Sequence, residues 1–207
     1  MAVLKRLVQK RRHGNGPYGH LFQAPDGHEL MALDCETTGL DPRRAELVSV
    51  AAVPIRGGRV CAGAALELHL AAPASLDGES ICIHRLRGVD LAQGIQVREA
   101  LEKLLAFIGN RPLVGWCVDF DLAVINRYLR PALGFELPNP VVELSALFRK
   151  REHYRSPNGL PDLRFEQVAG KLGVPVIGRH TARGDATTAA LMYLKLNPMA
   201  ATGQGDL

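Results

Sequence analysis

Three apolar, β-type stretches fill the first third of the chain: ELMALDC, ELVSVAAVPI and RVCAGAALELHL, ending at residues 35, 55 and 70. The second and third are joined by RGGR alone, and the adjacent glycines Gly57 and Gly58 suit the positive φ angles of a tight hairpin turn. The first and second are joined by the loop TTGLDPRRA, so the three segments read as an antiparallel meander. Beyond residue 71 the pattern changes. After the loop APASLDGES, the stretch VREALEKLLAFIGN sets Ala100, Leu101, Leu104, Leu105 and Ile108 at helical spacing, and Gly109 with Asn110 ends it. PLVGW reads as a short strand, and Asp119 as the N-cap of a helix that runs to about Leu129 and is stopped by Pro131. PVVELSAL reads as another buried strand, FRKREHYRSPNG as a basic loop, and two helices follow at about 161–172 and 182–196. Strands first, then alternating helices and strands, predict an α/β layer fold with helices packed on a mixed sheet.

Length and composition fit that outline. With 207 residues, 47% of them hydrophobic and 22% charged, the chain supports a single globular domain, here residues 28–197, flanked by a basic N-terminal extension (1–27) and a flexible polar tail (198–207). The segment HGNGPYG should lift the extension away from the domain. No run of about 18 apolar residues exists, and MAVLKRLVQKRRHG lacks the apolar centre of a secretory signal, so no membrane association and a cytoplasmic location are expected. Cys35, Cys61, Cys82 and Cys117 are too widely spaced for a zinc site and read as reduced, buried thiols. The net charge of +4 is uneven: Lys5, Arg6, Lys10, Arg11 and Arg12 precede any acid, and Arg149, Lys150, Arg151 and Arg155 form a second cluster. Such patches suit a polyanionic partner, or are solvated faces.

The chemistry concentrates in the acids. In LMALDCETTGL, Asp34 and Glu36 lie two apart on a strand, about 6.6 Å between Cα atoms, so both project from one face while Cys35 turns to the other. Their charges repel. The pair either caps the strand before a loop or holds a hard cation such as Mg²⁺ or Mn²⁺. Asp121, in VGWCVDFDLAVINRYL, falls in the first turn of a helix after a strand, where the helix dipole favours a carboxylate; Asp119 shares that description. In RHTARGDATTAALMYL, His180 sits just before a helix and Asp185 in its first turns, a titratable imidazole beside a fixed carboxylate.

In chain order these residues spell D-x-E, F-D and H-x-A-x-x-D-A, each at a junction between elements. The pattern resembles the DEDDh class of the DnaQ-like 3′–5′ exonuclease superfamily, which includes the epsilon proofreading subunit of bacterial DNA polymerase III, over roughly residues 28–196. The resemblance implies a ribonuclease H-like fold, a mixed sheet with an antiparallel three-strand start and flanking helices. It implies that Asp34, Glu36, Asp121 and Asp185 hold two divalent ions, Mg²⁺ or Mn²⁺, with Asp34 bridging both and Asp121 reaching its ion through water. Paired ions of this kind stabilise the attacking and leaving oxygens of a displacement at phosphorus. His180 matches the general base, and the expected products are nucleoside 5′-monophosphates released from a 3′ end. Thr37, Thr38 and Leu40 match positions that contact the terminal nucleotide, and His84 matches a histidine near it, although Arg85 and Leu86 replace the usual Gly-Ile. The second motif is also altered: Trp116-Cys117-Val118-Asp119-Phe120-Asp121 lacks the common His-Asn pair. Arg183 stands where an apolar residue is frequent, and Glu143 where relatives often have Asp, outside the metal set.

The expected partner is nucleic acid at single-stranded or frayed 3′ ends, DNA ahead of RNA, with a DNA polymerase as a second partner. An exoribonuclease acting on short RNA and a non-catalytic adaptor for nucleic acid or a polymerase are the alternatives. Contacts to the 2′-OH, which separate RNA from DNA, are not readable from these residues.

Overall fold

The structure, a computed structural model, describes residues 2–25, 27–155 and 159–197. The tail 198–207 and the end of the basic stretch at 156–158 lie outside the described residues. A helix α1 (Ala2–His13) precedes β1 (Leu30–Thr37), β2 (Leu47–Arg56), β3 (Arg59–Val60) and β4 (Leu66–His69). Then come α2 (Gly78–His84), α3 (Val97–Ile108), β5 (Leu113–Gly115), α4 (Val118–Leu133), β6 (Val141–Glu143), α5 (Leu144–Arg155), α6 (Phe165–Lys171) and α7 (Ala182–Leu196).

The strands form one mixed sheet in the order β3-β2-β1-β5-β6, with β4 also pairing with β2. β2 is antiparallel to β1, β3 and β4, while β5 is parallel to β1 and to β6. The β2–β3 turn is the Gly57–Gly58 pair, both at positive φ (52° and 70°), as a two-residue hairpin requires. Apolar side chains cover both faces. Met31 and Leu33 of β1 enter a core with α3 and α4, whereas Leu30 and Ala32 enter a second core with α5, α6 and α7. That alternation fixes the face on which every later β1 side chain must lie.

Several local expectations change. The third β segment is interrupted by a 3-10 turn at Ala62–Ala64, giving β3 and β4 instead of one strand. The strand expected from PVVELSAL ends at Glu143, and most of the basic loop after it is helix α5, which buries only Leu144 and Phe148. Part of APASLDGES starts a helix, because Asp77 and Ser80 form a reciprocal capping box at the N-terminus of α2. α4 is capped not by Asp119 but by Cys117 in a left-handed conformation, and Pro131 lies inside its last turns before Gly134 closes it. The N-terminal extension does not stand off the domain: Tyr18, Leu21 and Phe22 join the core, and the His13 ring lies 5.4 Å from that of Phe135. The four cysteines are free, but none is fully buried as expected: Cys35 and Cys61 are half-buried, and Cys82 and Cys117 are exposed.

Helix α7 crosses β1 and β2 through small residues, Ala186, Ala189 and Ala190. Its first turn also receives the segment 177–180 at very short range. A Cβ on Gly184 would lie 2.2 Å from the Gly178 carbonyl oxygen and 2.3 Å from that of Ile177, both backbone atoms that cannot rotate away. Gly184→Ala should therefore lower stability by about 1–3 kcal/mol, as overpacking does. The check is thermal unfolding, where each kcal/mol moves Tm by about 2–4 °C in a chain of this size. An unchanged Tm would mean that the segment does not sit against α7 as described.

Candidate active site

The carboxyl ends of β1 and β5 open into a cleft of about 700 Å³. This is where an α/β sheet exposes strand ends and helix N-termini together. Asp34 and Glu36, continuing the face of Leu30 and Ala32, point towards α7, where Asp185 occupies the first turn. One oxygen from each of Asp34, Glu36 and Asp185 lies within 4.8 Å of the others. A register shift between Glu36 and Thr37 marks the end of the regular β1–β2 ladder, where the chain turns into the cleft lip. Asp121, in the first turn of α4, stands beside this trio, its Oδ1 accepting the Cys35 N–H at 2.9 Å. Cys35 itself packs towards the opposite core.

His180 lines the same cleft from the turn before α7, with a left-handed backbone (φ 62°) unusual for a residue with a side chain. Hydrogen bonds from three residues' side chains hold that turn. The Ile177 N–H donates to Thr188 Oγ1 at 3.0 Å, the Thr181 hydroxyl donates to the Gly178 carbonyl at 2.7 Å and caps α7 at Gly184, and the His180 N–H donates to Asp185 Oδ2 at 3.2 Å.

Crowding shapes the electrostatics. Burial first, and then the charges of Asp121, Asp185 and Glu36, push the Asp34 carboxyl well above the usual range. Glu36 is pushed up to about 7, by burial and then by Asp185, against the opposing charge of Arg179. Asp121 is pushed up to about 8, chiefly by burial, while hydrogen bonds from the Cys35 and Asp121 backbone pull the other way. Asp185 is raised by burial and held back mainly by Arg179. Asp185 Oδ1 is buried and has no hydrogen-bond partner. A cluster of hard oxygen donors that resists ionisation without a counter-charge, with one buried oxygen left bare, fits divalent metal ions.

The other sequence-derived positions are scattered. Thr37, Thr38 and Leu40 line the cleft lip, with Leu40 89% exposed. The Thr38 hydroxyl is already engaged, bonding Ser75 Oγ at 2.8 Å and accepting the Glu46 N–H at 3.0 Å. His84 is 2% exposed, accepts the Leu86 N–H through Nδ1 at 3.1 Å, and does not line the cleft; its neighbour Ile83 does. Arg183 reaches the Ala62 carbonyl rather than the cleft. Glu143 is a turn anchor, its Oε1 accepting the N–H groups of Cys117 and Ser145 at 2.9 Å each. The sequence reading missed Trp116, Phe120, Phe165 and Arg179, all of which line the cleft. Trp116 and Phe120 lie inside the second motif and Arg179 directly before His180, so these three carried a local signal; Phe165 arrives from a distant helix.

Comparison with known proteins agrees with this geometry. The RNase_T family, described as Exonuclease, matches residues 31–193. The chain belongs to this family, the DnaQ-like exonucleases, and is a nuclease. It is 28% identical over 170 residues to the DNA polymerase III subunit epsilon of Aquifex aeolicus, covering 81% of this chain and 79% of that protein. A DNA polymerase III of PolC type from Thermotoga maritima is 26% identical over 172 residues, which is 82% of this chain but 12% of that one. Among solved structures, an exonuclease I superposes with a TM-score of 0.68 at 18% identity, over 84% of this chain and 42% of its own. The cell-death related nuclease 4 does so at 0.68 and 17% identity, over 85% and 66%. These likenesses bear on the fold, which is ribonuclease H-like.

Raised carboxyl pKa values have a defined sign. The folded protein holds protons that the unfolded chain has already released, so metal-free stability falls as pH rises from about 4 through the folded values near 7 and 8. In EDTA, Tm should be several degrees higher at about pH 5.5 than at about pH 8, and saturating Mg²⁺ should flatten the difference. Differential scanning calorimetry at both pH values checks this; a metal-free Tm that rises with pH would contradict the assigned cluster.

Proposed function

We propose that the protein is a metal-dependent 3′–5′ exonuclease that hydrolyses the terminal phosphodiester of single-stranded or frayed DNA ends and releases nucleoside 5′-monophosphates. The observation that carries this reading is the convergence of Asp34, Glu36 and Asp185 within 4.8 Å, with Asp121 behind them and His180 on the rim of the same cleft. Asp34, Glu36, Asp121 and Asp185 would hold a pair of Mg²⁺ or Mn²⁺ ions. When bound, the ions supply Lewis-acid stabilisation of charge at the reacting phosphate oxygens.

The protein's own groups do the rest. His180 accepts the proton of the attacking water, a role suited to an imidazole near neutral pH. Thr37, Thr38 and Leu40 meet the terminal nucleotide, with the exposed Leu40 side chain offering an apolar surface for the base. Trp116, Phe120 and Phe165 give the cleft aromatic walls, of the kind on which unpaired bases stack. An adaptor role would leave crowded carboxylates unexplained. Work beside a DNA polymerase is supported by the Aquifex relative named as a polymerase subunit.

The test uses 5′-labelled single-stranded DNA and the matching RNA, each with Mn²⁺ or EDTA. Stepwise shortening from the 3′ end, in metal only and faster on DNA, is the expected result. Asp34→Ala should abolish it with the fold retained. His180→Ala should lower kcat by about 10²–10⁴-fold, the usual worth of a general base, with little change in oligonucleotide affinity. Binding of both nucleic acids with no shortening of either would leave the adaptor reading standing instead.

A further inference from the structure

Arg179 is built into the cleft more firmly than a surface arginine needs to be. Its guanidinium bonds Asp185 Oδ2, donates through Nε to Glu166 at 2.6 Å, and lies 4.6 Å above the Phe165 ring. Phe165 is in turn packed edge-to-face with Trp116, at 5.9 Å between centroids. Arg179 is 32% exposed, so it is packed along the wall instead of extending into solvent.

The consequence falls on Asp185. Its Oδ2 is occupied by Arg179 and by the His180 N–H, while Oδ1 is buried with no partner. A carboxylate free to rotate would offer either oxygen, or both, to a cation. This one is held through Oδ2, which leaves Oδ1 as its one oxygen without a hydrogen bond. The same fork pins the backbone on the N-terminal side of His180, whose left-handed conformation is unfavourable for a residue with a side chain and needs its surroundings to hold it.

Resting on the proposed metal chemistry, we infer that Arg179 is a positioning residue: its fork, braced by Glu166 and Phe165, aims Asp185 Oδ1 at the metal pair and sets the turn that carries His180. Arginine suits this task because its planar donors engage two carboxylates in a fixed geometry, which a lysine ammonium does not reproduce. Two effects oppose each other at the site. The Arg179 charge weakens cation binding, whereas its aim strengthens it, so a variant that keeps the charge isolates the aim.

Arg179→Lys is that variant. Titrating Mn²⁺ into the metal-free full chain by isothermal calorimetry, without substrate, should show about tenfold weaker binding than wild type, at the low end for outer partners of metal ligands. Glu166→Asp, which keeps the carboxylate charge and withdraws the brace by one methylene, should weaken Mn²⁺ binding in the same direction by less. In turnover, Arg179→Lys should lower kcat and leave KM for the oligonucleotide unchanged. Mn²⁺ affinity equal to or tighter than wild type in Arg179→Lys overturns the inference, as does a raised KM at unchanged kcat, which would make Arg179 a phosphate contact. Should Arg179→Lys fail to fold, unaltered Mn²⁺ affinity in Glu166→Asp overturns it. A wild-type chain that takes up no Mn²⁺ fails differently, because it removes the metal-dependent reading itself.

Discussion

Two carboxylates on one face of a strand end, met by a third from a helix and backed by a fourth, repel one another, and the rest of the structure is arranged to keep them together. Asp34 and Glu36 share a face because strand side chains alternate. Asp185 reaches them because α7 crosses the sheet on alanines and lets the 177–180 segment approach at a glycine. Asp121 is held by the Cys35 N–H, so the same strand that presents Asp34 also orients the acid behind it. Locally this is unfavourable, and the two apolar cores on either side of the sheet supply the rigidity that prevents the acids from drifting apart.

That arrangement explains why a cation fits. Partial burial raises the free energy of each ionised carboxylate, and neighbouring charge raises it further. Protons relieve the repulsion in the absence of metal, and divalent ions relieve it better because they bring charge without removing ligand atoms. Arg179 offers a third, partial relief from the side of Asp185, bonding its Oδ2 and leaving Oδ1 without a partner. Above this charged floor the cleft is walled by Trp116, Phe120, Phe165, Ile83 and Leu40. Polar chemistry below and apolar surface above suit a ligand whose phosphate reacts while its base stacks.

What was legible in the chain follows from range. β1, β2 and the Gly57–Gly58 turn, and helices α3 and α7, declare themselves through periodicity and turn chemistry that act within a few residues. α5 did not, because it is basic, buries only two side chains, and owes its helical state to docking beside α7. α2 hid inside a stretch rich in loop residues, where Asp77 and Ser80 cap a helix instead of making a turn. His84 matched a motif but is folded inward, while Ile83 beside it faces the cleft.

The sequence by itself determined which chemistry was available: D-x-E on one strand, an acid at a helix start, and a histidine five residues ahead of another acid are local patterns, and local geometry projects their side chains predictably. Tertiary structure alone decided how those groups meet. The separation of Asp34 and Glu36 from Asp185 is set by how closely α7 can lie on the sheet, and the bare oxygen on Asp185 by an arginine held between α6 and α7. Both depend on contacts between residues distant in the chain, which no spacing within LMALDCETTGL encodes.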